Sequence, residues 1–259
     1  MPRSRAVLPL STVNRAPAEP MFRGLALTAA PLLRLFTKQD WRAGDKLPRT
    51  GGIIVVTNHI SHFDPLAIAH FLIWHGRWPR AMAKADLWRV PVIGQLARGL
   101  GQIPVERNTV RAKDSLVKAE EALARGECVV IYPEGTVTAD PDTWPMTARP
   151  GAARLAFKTG CPVIPVAQWG ANYVMPGKTT TWPRLLPRKT MQVVVGDPVK
   201  LDDLAEAADN PTAVAEAGVR IMDALTTLLA DLRGIPAPAD RYDLRAGRRL
   251  PRDWASETR

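Results

Sequence analysis

Two histidines and an aspartate stand close together in the stretch Asn58-His59-Ile60-Ser61-His62-Phe63-Asp64. Imidazole changes charge near neutral pH, so a histidine held at a turn is a candidate base. A carboxylate five residues on, Asp64, can fold back under the ring if a turn intervenes and a helix starts behind it. Bonded to one ring nitrogen, that carboxylate fixes the tautomer and leaves the other nitrogen to take a proton. The chemistry is that of a general base acting on a hydroxyl, with His59 as the base and Asp64 as its orienting partner. His62 is the rival base, but only His59 stands five residues before Asp64. A plainer reading competes: Asp64 caps the helix that begins at Pro65, and His59 is an ordinary turn residue.

The neighbouring elements must put these residues in place. Gly51 to Thr57 is an apolar, β-branched run bounded by glycine and predicts a buried strand. Pro65 to Trp74 predicts the helix that follows. A strand-to-helix junction is where open α/β sheets place their chemistry. Further strands are expected over 78–83, 101–107, 127–132, 162–168 and 190–196, and helices over 109–125, 150–159 and 211–233. The last helix carries Val214, Ala217, Ile221, Leu225 and Leu229 on one stripe. Strands alternating with helices predict an α/β fold with a mixed, largely parallel central sheet flanked by helices.

The ends of the chain differ from this pattern. Residues 1–20 read as a flexible basic arm and 234–259 as a surface strap or a disordered tail. Residues 21–48 form an N-terminal amphipathic appendage that Pro31 divides into two short helices, ahead of a catalytic domain over 49–233. The leucines and cations of the appendage suit the interface of an anionic bilayer, and packing on the core is the competing reading. Trp88 to Leu100, apolar with Arg89 and Arg98, is a second membrane-facing candidate.

A formal charge of +10 and a pI of about 10.1 admit nucleic acid, an anionic membrane or a phosphorylated substrate as partner. Scattered aromatics without a stacking platform, and no nucleic-acid motif, argue against the first. Cys128 and Cys161 lie in apolar runs and suggest neither a disulfide framework nor a metal cluster. The four histidines show no zinc-ligand spacing. No secretory signal is evident, and no run of 18 apolar residues suggests a membrane-spanning helix.

Four short segments stand at strand ends: Asn58 to Asp64; Gly101-Gln102-Ile103-Pro104-Val105-Glu106-Arg107; Tyr132-Pro133-Glu134-Gly135-Thr136; and Val163-Ile164-Pro165-Val166. In order and spacing they resemble the four sequence blocks of the glycerolipid acyltransferases, nearest to the bacterial 1-acyl-sn-glycerol-3-phosphate type. The resemblance covers about residues 20–200. It implies transfer of an acyl group from acyl-CoA or acyl-carrier protein to the free hydroxyl of a lysophospholipid. It implies no cofactor, no metal and no nucleic-acid partner, and a place at the cytoplasmic face of the cell membrane. It gives His59 the role of base. Arg107, Glu134, Gly135, Thr136 and Arg149 would hold the phosphate and glycerol of the acceptor, with Gly135 letting backbone approach the ligand. Lys84 would sit beside the thioester and steady the developing oxyanion. The chain departs from the family pattern at Val137, where arginine is common, at Arg149, where lysine is, and at Tyr132, where phenylalanine is. Competing readings are acylation of glycerol-3-phosphate, another lysophospholipid or a glycolipid, and, in another class, a non-catalytic basic module that binds membrane or nucleic acid.

Overall fold

The computed structural model describes residues 8–106, 112–177 and 182–252. Its elements run α1 (Leu10–Val13), α2 (Pro20–Phe36), β1 (Thr37–Arg42), β2 (Ile53–Thr57), α3 (Asp64–Trp74), β3 (Pro79–Lys84), α4 (Ile93–Gly99) and β4 (Ile103–Val105). Then follow α5 (Ala112–Ala124), β5 (Cys128–Ile131), α6 (Gly151–Thr159), β6 (Val163–Trp169), α7 (Ala171–Val174), β7 (Lys189–Val195), α8 (Pro211–Arg233), β8 (Arg241–Asp243) and β9 (Arg248–Leu250).

Seven strands form one sheet in the order β1-β7-β6-β2-β5-β3-β4. Strands β6, β2, β5, β3 and β4 run parallel, β7 lies antiparallel to β6, and β1 is parallel to β7. The expected mixed, largely parallel sheet is therefore present. Its central strands are buried on both faces, which is why they read as continuous apolar runs. On β2, Ile54 and Val56 pack with β5 residues Val129 and Ile131 against α5, α6 and α8. Ile53 and Val55 point the other way, onto Ile68, Phe71 and Leu72 of α3. Each fully buried side chain of this size contributes about 1.5–3 kcal/mol, so a one-residue slip of β2 would exchange both packed faces at once.

Helix α8 begins and ends where its sequence signals stand. The Asn210 side chain accepts the Thr212 amide, Pro211 opens the helix, and Gly234 closes it at φ 65°.

Two expectations need correction. Pro31 does not divide the N-terminal segment: α2 is one helix of 17 residues with Pro31 inside it, on its exposed side. The segment expected to be helical through residue 48 turns instead into β1, whose Thr37 to Arg42 pair in register with Lys189 to Val194. The N-terminal segment thus shares a sheet with the strands expected of the catalytic domain. Beyond α8, β8 and β9 form an antiparallel hairpin. Buried Arg241 pairs with Asp223 at 2.8 Å, and Arg249 forks onto buried Asp140 at 2.7 and 2.9 Å.

Candidate active site

Strand β2 ends at Thr57 between β6 and β5, near the middle of the sheet. There the main chain must leave the sheet, and Asn58 takes over its hydrogen bonds. The Asn58 amide donates to the Gln168 carbonyl at 3.0 Å and accepts the Gln168 amide at 2.9 Å. The side chain thereby continues the ladder with β6 while the backbone turns away.

The turn that follows is built on Asp64. One carboxylate oxygen, Oδ2, accepts the backbone amides of Ile60 at 2.6 Å and Ser61 at 2.9 Å, and lies 2.8 Å from His59 Nδ1. Asp64 opens α3, yet its side chain makes no forward capping bond and folds back under the turn. The capping reading is thus displaced by the orienting one. Two amide donors on Oδ2 require that it accept, so Nδ1 carries the ring proton and Nε2 keeps its lone pair. Asp64 is fully buried and the His59 side chain is 16% exposed, so the imidazole sits at the lip of the site with its partner behind it. His62 is exposed on the outer side of the turn.

The backbone of His59 is held from both sides by block three and the loop behind it. Its amide donates to Glu134 Oε1 at 3.0 Å, and its carbonyl accepts from the Thr138 amide at 2.7 Å. The other oxygen of Glu134 accepts the Met146 amide at 3.0 Å. Burial pushes the Glu134 carboxyl up to about 8, against the pull of these two amides, with nearby Asp64 adding to the rise and Arg241 opposing it. Glu134, expected to hold the acceptor, instead ties the His59 turn to the loop at Met146. The hairpin secures that loop, because Thr147 bonds Tyr242 through its backbone amide and Asp243 through its hydroxyl.

Tyr132 precedes this segment. Its ring lies 4.3 Å from the imidazole of His59, tilted by 34°, and forms a wall of the base's pocket. Burial raises the phenol well above its ordinary range, and the charge of Asp64 adds to the effect. The tyrosine therefore stays neutral.

Gly135 adopts φ +72°, which favours glycine. A Cβ there would lie 2.6 Å from Cδ and Nε of Arg149. The close approach expected from a ligand is made instead by the Arg149 side chain, which crosses over the glycine and remains exposed. The Arg149 amide donates to the Pro133 carbonyl at 2.8 Å, fixing the stem of that arginine to block three. Thr136 is half-buried in the same turn, and Val137 is buried.

Lys84 ends β3, two strands from β2 along the sheet. Its ammonium is exposed and pairs with Asp86 at 2.5 Å, so its charge is partly answered at the surface. Arg107 lies outside the described residues. Cys128, buried in β5, has its thiol pushed up to about 12 by desolvation, which makes it a packing residue. Among the described residues no group of three His, Cys, Asp or Glu side chains is gathered as for a metal.

The structure therefore brings His59, Asp64, Glu134, Gly135 and Arg149 together and leaves Lys84 apart. Sequence reasoning missed the positioning roles of Asn58 and Thr138 and the ring contact of Tyr132. The change of block three from phenylalanine to tyrosine was the one visible signal.

Residues 41–169 match the family model described as Acyltransferase. The chloroplastic 1-acyl-sn-glycerol-3-phosphate acyltransferase of Brassica napus is 30% identical over 183 residues, covering 69% of this chain and 51% of the relative. The 1-acyl-sn-glycerol-3-phosphate acyltransferase of Borreliella burgdorferi is 30% identical over 146 residues, covering 51% of this chain and 54% of the relative. The chain thus spans about half the length of these relatives. The crystal structure of the 1-acyl-sn-glycerophosphate acyltransferase PlsC from Thermotoga maritima shares the fold. The TM-score is 0.62 at 21% identity, over 84% of this chain and 81% of that one.

Proposed function

We propose that the chain, whose residues 41–169 match the Acyltransferase family model, transfers a fatty acyl group from a thioester donor to the free hydroxyl of lysophosphatidic acid, forming phosphatidic acid. The observation that carries this reading is the His59–Asp64 pair, bonded at 2.8 Å at the end of β2. Alcohols are poor nucleophiles at neutral pH. Nε2 of His59 takes the proton as the acceptor oxygen attacks the thioester carbonyl carbon, and the C–S bond breaks to release the thiol. Asp64 keeps Nδ1–H bonded throughout and stabilises the imidazolium that forms. A covalent acyl-enzyme is not required, and neither cysteine belongs to the site.

Arg149 is the described cation best suited to the acceptor's phosphate, since a guanidinium offers a planar fork of donors. Arg107 completes this role in the proposal on the strength of the block it belongs to. The donor is acyl-CoA or acyl-carrier protein. Catalysis takes place at an anionic membrane surface on its cytoplasmic face, with residues 21–48 contributing to attachment. No described helix is long and apolar enough to cross a membrane, so peripheral contact is the mode proposed.

An acceptor panel tests the substrate class. Purified protein with palmitoyl-CoA is expected to release CoA with lysophosphatidic acid at least about tenfold faster than with lysophosphatidylcholine, given the energies of charge-assisted contacts. Equal rates on lysophosphatidic acid and on zwitterionic lysophosphatidylcholine would remove the phosphate role from Arg149.

A further inference from the structure

Helix α2 has two apolar sides. Phe22, Ala26 and Ala30 are buried against α1, Trp74 and Trp78. Met21, Leu25, Leu32 and Leu35 are exposed. At 100° per residue these four fall within about 80° of the helix circumference, so they form one stripe turned away from the core. The helix is about 25 Å long at 1.5 Å per residue.

Each end of α2 meets another segment with exposed apolar side chains. At the N-terminal end, Met21 lies against Gly99 of α4, whose approach carries Leu87, Val90, Val92 and Ile93 in the open. At the C-terminal end, Leu33 packs in one cluster with Met175 and Leu185, and Arg188 donates to the carbonyls of Arg34 and Thr37. The segment between them exposes Trp182 at 92% and Leu186 at 74%. Large apolar groups this open, gathered at the end of an apolar stripe, mark an interaction surface. The same segment adjoins the catalytic turn, since Ser61 donates to the Met175 carbonyl at 2.6 Å.

Charge identifies the partner. No aspartate or glutamate occurs between Asp142 and Asp197, or between Glu19 and Asp40. Arg184, Arg188 and Lys38 are exposed in these acid-free stretches. Stretches that combine open tryptophan and leucine with cations and carry no acid in sequence suit an anionic lipid interface.

We propose that Trp182 and Leu186, with Arg184 beside them, form a second membrane-docking element that prolongs the α2 stripe towards the His59 turn and seats that turn against the bilayer. The proposal rests on the membrane setting given above and goes beyond the N-terminal attachment. It places the entry of a lipid acceptor on the same face as the anchor.

Vesicle flotation tests it without using turnover, so a failure of the acyltransfer reading leaves the test intact. The full chain is mixed with vesicles of equal parts phosphatidylglycerol and phosphatidylcholine, beside vesicles of phosphatidylcholine alone. The unaltered protein is expected to float with the anionic vesicles. Trp182→Ser/Leu186→Ser is expected to bind them about tenfold more weakly with an unchanged melting temperature, both side chains being outside the core. Arg184→Glu should weaken binding to the anionic vesicles alone. A fluorescence difference between the unaltered protein and Trp182→Phe, quenched by brominated lipid, would locate Trp182 in the interface. Equal flotation of the double variant overturns the proposal. So does concentration-dependent self-association, abolished by the double variant, in a protein that floats on neither vesicle.

Discussion

The His59–Asp64 turn, proposed to be catalytic, and the proposed acceptor side of the site are built on opposite plans. Residues 58–64 are held by Gln168, Glu134, Thr138 and Asp64, almost all through buried backbone bonds. Arg149 and Lys84, the described cations offered for substrate, have exposed side chains. Groups that move a proton must be fixed to within a fraction of an ångström, because the geometry of transfer is strict. Groups that receive a charged headgroup gain from reach and can settle as the ligand arrives. Damage to the first region should therefore appear in kcat and in folding, and damage to the second in KM.

The largest effect is expected at Asp64. Asp64→Asn keeps the shape but replaces an oxygen that accepts three donors, and the ring loses its imposed tautomer. A drop of about 10²-fold or more in kcat is expected, with KM for the acceptor little changed. A loss confined to KM would dissolve the contrast between the regions.

Glu134→Gln comes next. The amide can accept one of the two backbone donors but opposes the other, so a loss of about 1–3 kcal/mol in stability and a fall in kcat are expected. The pH dependence sharpens this. The folded carboxyl is raised to about 8 from an ordinary 4.5, so its protonated form is favoured by folding. Its contribution is complete below about 4.5 and is lost as pH rises through about 8. Thermal melts across that window should show the parent protein losing stability relative to Glu134→Gln as pH rises. A difference that stays flat with pH would mean that Glu134 is ionised throughout.

Arg149→Ala should raise the acceptor KM about tenfold with kcat within a factor of about three, as expected for the loss of one charge-assisted contact. Lys84→Ala is expected to have the smallest effect, under about threefold in either constant, because its exposed ammonium already pairs with Asp86. A fall of about 10²-fold in kcat would instead put Lys84 beside the thioester oxygen and move it into the fixed region.

Legibility in the sequence divides along the same line, for a physical reason. Buried strands such as Ile53 to Thr57 and Cys128 to Ile131 announce themselves because both faces must be apolar. The His59–Asp64 pairing was readable because spacing and turn propensity act locally. Strand β1 was not: Thr-Lys-Gln-Asp-Trp-Arg at a sheet edge needs no apolar face, and its pairing with Lys189 to Val194 is non-local. Pro31 misled because its missing amide lies on the exposed side of α2, where tertiary packing of the opposite face overrides the local penalty. Glu134 was given to the acceptor by the resemblance of its block, which does not show where its two oxygens are bonded. Its partners, the His59 and Met146 amides, come together only in the folded chain. The hairpin of 241–250 hid behind its arginines, whose carboxylate partners Asp140 and Asp223 lie elsewhere in the sequence.

The central claim is that His59 is the base for an alcohol attacking a thioester. The direct measurement is release of CoA from palmitoyl-CoA, with and without lysophosphatidic acid, by the parent protein and by His59→Ala of equal melting temperature. Acceptor-dependent release by the parent, reduced by about 10³-fold or more in the variant, is the predicted result. Acceptor-dependent release that survives in His59→Ala at a near-normal rate would contradict it.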